Sequence, residues 1–129
     1  MKTTKILETN ITETTISDVS KTLTSSKNNR VAICNANTLV RSVRNIEIRE
    51  AINSFSIKTP DGFPVAKALS FLTKKKFLRV DGYKVFLQTI SDGLEDNISH
   101  YFFVIIFKIH FFIENRKIFI YIQFFFITF

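Results

Sequence analysis

The sequence is poor in the residues that build several common kinds of site. It has one Cys, which excludes an internal disulfide and a cysteine-rich metal centre because both need several thiols. It has three Gly, so it lacks a Gly-rich phosphate loop of the dinucleotide or Walker type. We expect Cys34 to be a reduced core residue, and we expect no metal and no cofactor. The first residues contain no apolar run after Lys2, so no signal peptide is predicted.

Length and charge limit the number of domains and the kinds of partner. At 129 residues the chain is one domain or part of one. Eighteen Lys and Arg against eleven Asp and Glu give a net charge of +7, which attracts nucleic acid, anionic membranes and phosphorylated substrates alike. A nucleic-acid-binding module typically interleaves basic residues with exposed aromatics. Here the basic residues are spread along the chain while the aromatics crowd its end, so no nucleic acid partner is expected.

The composition changes near residue 101. Ten of the fifteen Phe lie between Tyr101 and Phe129, where neither helical spacing nor alternation persists. Lys108, His110 and the run that starts at Glu114 interrupt this tail before it reaches the roughly 18 apolar residues of a membrane span. The tail consists mainly of Phe, Ile, Lys, Asn and Tyr, a composition that is typical of AT-rich DNA translated in an unselected frame. We therefore predict two parts, residues 1–103 and an aberrant apolar tail at 104–129.

Residues 1–100 predict an α/β fold with a mainly parallel sheet, flanking helices and a Rossmann-like βαβ start. Apolar stripes and turn signals define the segments. The predicted order is a strand at Lys5–Ile11, a helix at Ile16–Ser25 after a Thr15 cap, a strand at Arg30–Asn35, two helices or one bent helix from Asn37 to Phe55, a strand at Ser56–Thr59, a helix over Val65–Leu72 and a last helix from Tyr83 to Leu94.

Each of the three glycines follows an aspartate, at Asp61-Gly62, Asp81-Gly82 and Asp92-Gly93. Asp-Gly predicts a turn because Gly adopts positive φ without steric cost. The first two pairs lie between a predicted strand and a predicted helix, at the edge where an open α/β sheet binds its ligand. Helix N-termini at that edge favour anions such as a diphosphate. Asp61 and Asp81 are therefore candidate functional residues, although a turn aspartate is usually only a cap.

Three ordered segments carry a resemblance to a known family. They are Asn-Ala-Asn-Thr-Leu at 35–39, Thr-Pro-Asp-Gly-Phe-Pro-Val-Ala at 59–66 and Arg-Val-Asp-Gly-Tyr at 79–83. Together with RSVRNIEIREAINSFSIK and GLEDNISHYFF, they resemble the WecG/TagA/CpsF glycosyltransferases, glycosyltransferase family 26, over about residues 5–103. A single Pro-Asp-Gly is a common turn, whereas the ordered set is fairly specific.

The resemblance implies an inverting α/β transferase that needs no metal. It would move a sugar, typically N-acetylmannosamine, from a UDP-sugar to an acceptor on undecaprenyl diphosphate, for surface-polysaccharide or teichoic-acid synthesis. The family's proposed general base corresponds to Asp61, its pocket-lining N-x-x-T segment to Asn35 and Thr38, and its RV-x-G arginine to Arg79. Helix capping is the alternative role for both Asn35 and Thr38. The implied location is cytoplasmic, peripheral to the inner face of the membrane, and homo-oligomerisation is left open.

Two departures from the family limit this interpretation. Lys84 stands where many members have an acidic residue. The match also stops at Phe103, whereas the family continues for roughly as much chain again, so we expect a truncated or frameshifted member. The alternative is a small membrane-associated basic protein without catalysis, with the tail as an interfacial anchor. His100 and His110 lack neighbouring ligands and predict no metal site.

Overall fold

The computed structural model describes residues 1–25, 28–95, 98, 100–105 and 123–128, and in these it has five helices and six short strands. The elements in chain order are β1 (Thr3–Ile6), β2 (Thr9–Thr12), α1 (Ile16–Ser25), β3 (Val31–Cys34), α2 (Ala36–Arg44), α3 (Ile46–Asn53), β4 (Ile57–Pro60), α4 (Phe63–Thr73), α5 (Gly82–Glu95), β5 (His100–Ile105) and β6 (Gln123–Thr128).

The first predicted strand is wrong in detail, because residues 3–12 form an antiparallel hairpin. β1 pairs with β2 in the register Thr3↔Thr12, and Leu7 and Glu8 connect them. Leu7 has a φ of 54°, a left-handed conformation that reverses the chain. The predicted βαβ unit through α1 is therefore not formed, since β2 and β3 are not hydrogen-bonded neighbours in a sheet.

The predicted mixture of helices and strands is confirmed, but the parallel sheet has only two strands among the described residues, so the expectation of a mainly parallel sheet is confirmed only in part. β3 and β4 pair in parallel, in the register Val31↔Ile57 to Cys34↔Pro60, and α2 and α3 form the crossover. All four β4 residues are buried. On the side of β4 away from β3, the Lys58 backbone N–H donates to Thr12 Oγ1 at 3.0 Å. Pro60 fits here because its missing N–H would also face away from β3.

Helices cover both faces of this parallel pair, as parallel strands require. One apolar cluster lies between the strands and α2, α3 and α4, and the second lies on the face covered by α1 and α5. Alternation along β3 divides its side chains between the two, with Cys34 in the first and Val31 against the second. The members of the first cluster are Ile11, Cys34, Leu39, Ile52, Val65 and Leu69, and those of the second are Val19, Ile57, Val80 and Val85.

The third Asp-Gly pair does not form the predicted turn. Asp92 and Gly93 lie within α5, and Asp92 Oδ2 accepts a hydrogen bond from Ser20 Oγ of α1. Gly93 is buried. Helix packing at this long-range contact outweighs the local turn preference of the dipeptide.

Two segments of the Phe- and Ile-rich tail pair with each other. β5 and β6 are antiparallel, with His100 opposite Thr128 and Ile105 opposite Gln123. The sequence pattern predicted no fold here. The polar interruptions used against a membrane span, Lys108, His110 and the run from Glu114, lie outside the described residues. In the part of the chain that is described, every helix is too short or too polar to cross a membrane.

Candidate active site

Asp61 lies at the carboxyl end of β4, between two other chain segments. On one side its backbone N–H donates to the Cys34 carbonyl at 3.0 Å, which continues the β3–β4 ladder. On the other side the Val80 N–H donates to the Pro60 carbonyl at 3.0 Å. The residues that follow these contacts, Asn35 and Asp81, therefore flank Asp61 at one edge. The three sequence segments singled out above meet at this edge.

Asn35 and Thr38 form the start of α2. Asn35 is the N-cap, and its Oδ1 accepts hydrogen bonds from the Thr38 backbone N–H at 3.0 Å and from Thr38 Oγ1 at 3.1 Å. Both residues thus have a capping role. Asn45 caps α3 in the same way, since its side chain accepts a hydrogen bond from the Ile48 backbone N–H at 3.1 Å. Asn35 is exposed and Thr38 half-buried at the same edge as Asp61. The geometry leaves the Asn35 amide nitrogen and the Thr38 oxygen lone pairs for a ligand.

Arg79 forms an ion pair with Asp81 in front of α5. Arg79 Nη2 contacts Asp81 Oδ2, while Asp81 Oδ1 accepts from the backbone N–H of Tyr83 at 3.0 Å and of Lys84 at 3.3 Å. Asp81 therefore caps α5 and holds the guanidinium at once. A guanidinium has five donors, so Arg79 retains donors for a second anionic partner. Residues 76–80 are not a strand, which corrects the predicted strand before this turn.

A tight contact fixes the start of α5 against β3. A Cβ built on Gly82 would lie 3.3 Å from both Cγ1 and Cγ2 of Ile33. The missing side chain thus allows α5 to begin next to β3, which ends at Cys34. The neighbouring helix α4 begins after Gly62, whose φ of 80° favours glycine.

The environment of Asp61 raises the pKa of its carboxyl group above the ordinary value of 3.8. Burial is the main cause, and the negative charge of Asp81 acts in the same direction. The hydrogen bond from the Gly62 backbone and the positive charge of Arg79 oppose the shift. A half-buried carboxylate with a raised pKa is a better proton acceptor than an ordinary surface aspartate.

The site edge has features that favour a negatively charged ligand. Three helices, α2, α4 and α5, begin there, and their N-terminal N–H groups carry partial positive charge. Within the described residues, no group of three or more His, Cys, Asp or Glu side chains could hold a metal ion. The arrangement of one base, one guanidinium and three helix starts suits an acid–base reaction on a phosphate-linked substrate.

Comparison with models of known protein families identifies the family to which this chain belongs. The family model described as Glycosyl transferase WecG/TagA/CpsF family matches residues 4–104, which is most of the chain. The chain belongs to the WecG/TagA/CpsF glycosyltransferase family. The match confirms the resemblance carried by the three segments and agrees with the predicted limits of about 5–103. A search of the curated proteins and a search of the solved structures each gave no match.

Membership of the WecG/TagA/CpsF family makes this a glycosyltransferase domain, with a sugar donor and an acceptor as its general substrates. The sequence pointed to Asp61, Asn35, Thr38 and Arg79, and all four lie on the edge described above. It did not reveal the contact of Asp81 with Arg79, because two turn residues two positions apart carry no pattern for an ion pair. The bond that brings Val80 to Pro60 is a long-range contact without a local signal.

Proposed function

We propose that the protein is an inverting transferase that moves a sugar, typically N-acetylmannosamine, from a UDP-sugar to an acceptor linked to a polyprenyl diphosphate. The position of Asp61 carries the proposal. Its carboxyl group sits half-buried at the edge where three helices begin, with a raised pKa and with Arg79 close by. A base and an anion-binding edge in one place are what transfer from a nucleotide sugar requires.

The reaction assigns one task to Asp61. The acceptor hydroxyl oxygen attacks the anomeric carbon of the donor, a new C–O bond forms, and the bond between that carbon and the diphosphate oxygen breaks. The hydroxyl proton passes to the Asp61 carboxylate, and UDP leaves with the electron pair. Attack from the face opposite the leaving group inverts the anomeric centre. Proton acceptance by a positioned carboxylate accelerates such a step by about 10² to 10⁴-fold.

The remaining site residues would bind the donor. Arg79 is the candidate for the diphosphate, because a guanidinium can pair with two phosphate oxygens while Asp81 holds its other side. The start of α4, where no side chain caps the helix, would stabilise the charge that develops on the leaving UDP. Asn35 and Thr38 would hydrogen-bond the sugar through the groups that capping leaves free.

The acceptor implies a location. A polyprenyl-linked sugar remains in the bilayer, so we propose that the protein acts in the cytoplasm at the inner face of the membrane, in surface-polymer synthesis. The alternative, a basic membrane-associated protein without catalysis, predicts membrane binding but no transfer. We keep the hypothesis that residues 104–129 arise from a frameshift. It is tested by reading the DNA beyond the Phe103 codon in the other frames for the family's continuing sequence.

The proposed function is tested by replacing the base. In a full-length version with the reading frame restored after Phe103, Asp61→Asn keeps the shape of the side chain, so we expect folding with a loss of transfer of about 10² to 10⁴-fold. The assay follows UDP release and product formation from UDP-N-acetylmannosamine and a short-chain polyprenyl diphosphate N-acetylglucosamine. Asp18→Asn, at the remote start of α1, is the matched control and should keep its rate. Near-normal turnover by Asp61→Asn would remove Asp61 from the mechanism.

A further inference from the structure

Helix α4 presents an apolar outer face that no described residue covers. Phe63 is 71% exposed and Phe71 is 83% exposed, although both are large hydrophobic side chains. With Lys67 they lie four residues apart on one side of the helix, while Val65, Ala66 and Leu69 occupy the opposite, buried side. The outer face lines an open groove of about 470 Å³, formed by Phe63, Pro64, Lys67, Ala68 and Phe71.

The same stretch holds most of the net positive charge of the protein. Residues 62–80 contain five basic residues, at positions 67, 74, 75, 76 and 79, and no acidic residue, while the whole chain has a net charge of +7. Lys67 lies over the Phe63 ring at 5.5 Å, and Lys74 to Lys76 are exposed in the turn that ends α4. An apolar stripe is thus joined to a cluster of ammonium groups.

We propose that the outer face of α4, together with Lys74 to Lys76, docks on an anionic lipid bilayer. Amphipathic helices bind bilayers by inserting aromatic and aliphatic side chains while basic residues contact anionic headgroups. A second copy of this chain is a poorer occupant. Pairing the face with itself across a two-fold axis would bring Lys67 and its basic neighbours against their own copies.

The docking face is continuous with the candidate active site. α4 begins at Phe63, two residues after Asp61, so a bilayer against the first turn of its outer face would lie close to Asp61. This step rests on the proposed function, since it explains how an acceptor that stays in the membrane meets the base. The docking itself does not depend on catalysis and is measured separately.

A tryptophan reporter gives the most direct test. The chain has no Trp, so Phe71→Trp introduces a single indole on the docking face. We expect its emission to shift to shorter wavelength with vesicles of phosphatidylglycerol and phosphatidylcholine, and to be quenched by brominated lipid. Leu87→Trp, on α5 in the opposite helix layer, is the matched control and should change little. An unchanged Phe71→Trp spectrum overturns the proposal.

Charge and apolar variants give the second test. Lys74→Glu, Lys75→Glu and Lys76→Glu together should weaken binding to the anionic vesicles by about tenfold to a hundredfold. The same charge change made by Lys21→Glu, Arg41→Glu and Arg44→Glu should weaken it much less. Phe63→Ser with Phe71→Ser should lower binding by about tenfold or more, against a small effect of Leu87→Ser. Equal effects of test and control variants contradict the proposal.

Two further outcomes name other occupants. A blue shift of Phe71→Trp that rises with protein concentration, without vesicles, assigns the face to a second copy and overturns the proposal. A spectral change with single-stranded oligonucleotide but not with vesicles assigns the face to nucleic acid and also overturns the proposal.

In the transfer assay, Phe71→Ser should lower the rate with vesicle-embedded acceptor by about tenfold while leaving the rate with a detergent-free, short-chain acceptor unchanged. Loss with both acceptors points to the site itself and not to docking.

Discussion

At the scale of single residues, the ionisation of Asp61 sets a pH dependence. A general base must be deprotonated, so transfer should rise with pH through the pKa of Asp61, and the midpoint should lie above 3.8 because burial raises that pKa. Asp81→Asn removes a negative charge that adds to the shift, so the midpoint should move to lower pH. Asn also caps helices, which keeps the start of α5 intact. The measurement is the pH profile of kcat/KM for both proteins.

The control for this profile lies elsewhere on the surface. Asp18→Asn removes a carboxylate far from the site and should leave the midpoint in place. An acidic midpoint that does not move in Asp81→Asn would show that another group limits the reaction at low pH.

Cys34 offers a second test at this scale. Its thiol is buried next to the Asp61 backbone, and burial raises its pKa from 9.0 to about 12. Because the thiolate is the reactive form, the folded protein should react with a disulfide reagent about 10³-fold more slowly than an ordinary thiol. The rate should rise in urea as the chain unfolds. Cys34→Ala with Ser17→Cys carries one exposed thiol instead and should react rapidly under native conditions. Fast native labelling of Cys34 would contradict the packing of β3.

At the scale of secondary-structure elements, two helix caps separate stability from binding. Asn35 caps α2 and Asn45 caps α3 with the same side-chain contact to the N–H three residues on. Replacing either by Ala should lower the free energy of unfolding by about 1 kcal/mol. If Asn35 also binds the sugar, only Asn35→Ala should raise KM for the donor beyond this common effect. Urea denaturation and donor titration check the two parts.

A substitution that keeps the cap sharpens the result. Asn35→Asp caps as well as Asn but replaces the amide donor by a carboxylate. Loss of donor affinity in this variant, at unchanged stability, would assign a binding role to the amide. Unchanged affinity in both Asn35 variants would leave Asn35 as a cap alone.

The sequence predicted elements well where the signals were local. Thr15 and Asp18 form reciprocal hydrogen bonds that begin α1, as the predicted Thr15 cap requires, and α4 follows the Asp61-Gly62 turn. The hairpin was missed because its connection, Leu7-Glu8, contains none of the usual turn residues. Asp92-Gly93 was misread because its partner Ser20 is far away in sequence. An unusual local turn caused the first error, and a long-range contact caused the second.

The candidate site was predictable to a similar extent. Asn35 and Asp61 follow strand ends, and Arg79 lies with them in the set of short motifs, so the sequence pointed to the edge that holds all three. The neighbours that tune the site could not be read in this way. Asp81 reaches Asp61 only because Val80 bonds to Pro60, and the exposed side of α4 became visible only when burial separated it from Val65.

At the scale of the whole molecule, the open edge of the parallel pair predicts association. Within the described residues β3 is hydrogen-bonded to β4 alone, and Ile33 on β3 is partly exposed. Unpaired strand edges recruit further strands. We expect concentration-dependent self-association, measured by sedimentation velocity and light scattering. Ile33→Lys should move its onset to higher concentration because a charge on an edge strand opposes pairing.

A matched variant separates edge pairing from a general effect of charge. Ile46→Lys adds the same charge at an exposed apolar position of α3, away from the strand edge. It should leave the onset of association nearly unchanged. Equal shifts for both variants would mean that net charge, and not the edge of β3, controls association.

Pro60 also restricts how the chain can fold. If β4 slipped by one residue along β3, the proline ring would turn toward β3, where the ladder needs a backbone N–H. The slipped pairing would lose a hydrogen bond and meet a steric clash, so it would be short-lived during folding. The surviving alignment is the one that puts Asp61 against the Cys34 carbonyl. Pro60 has no role in the proposed chemistry, but by disfavouring the slipped register it helps to fix the position of Asp61.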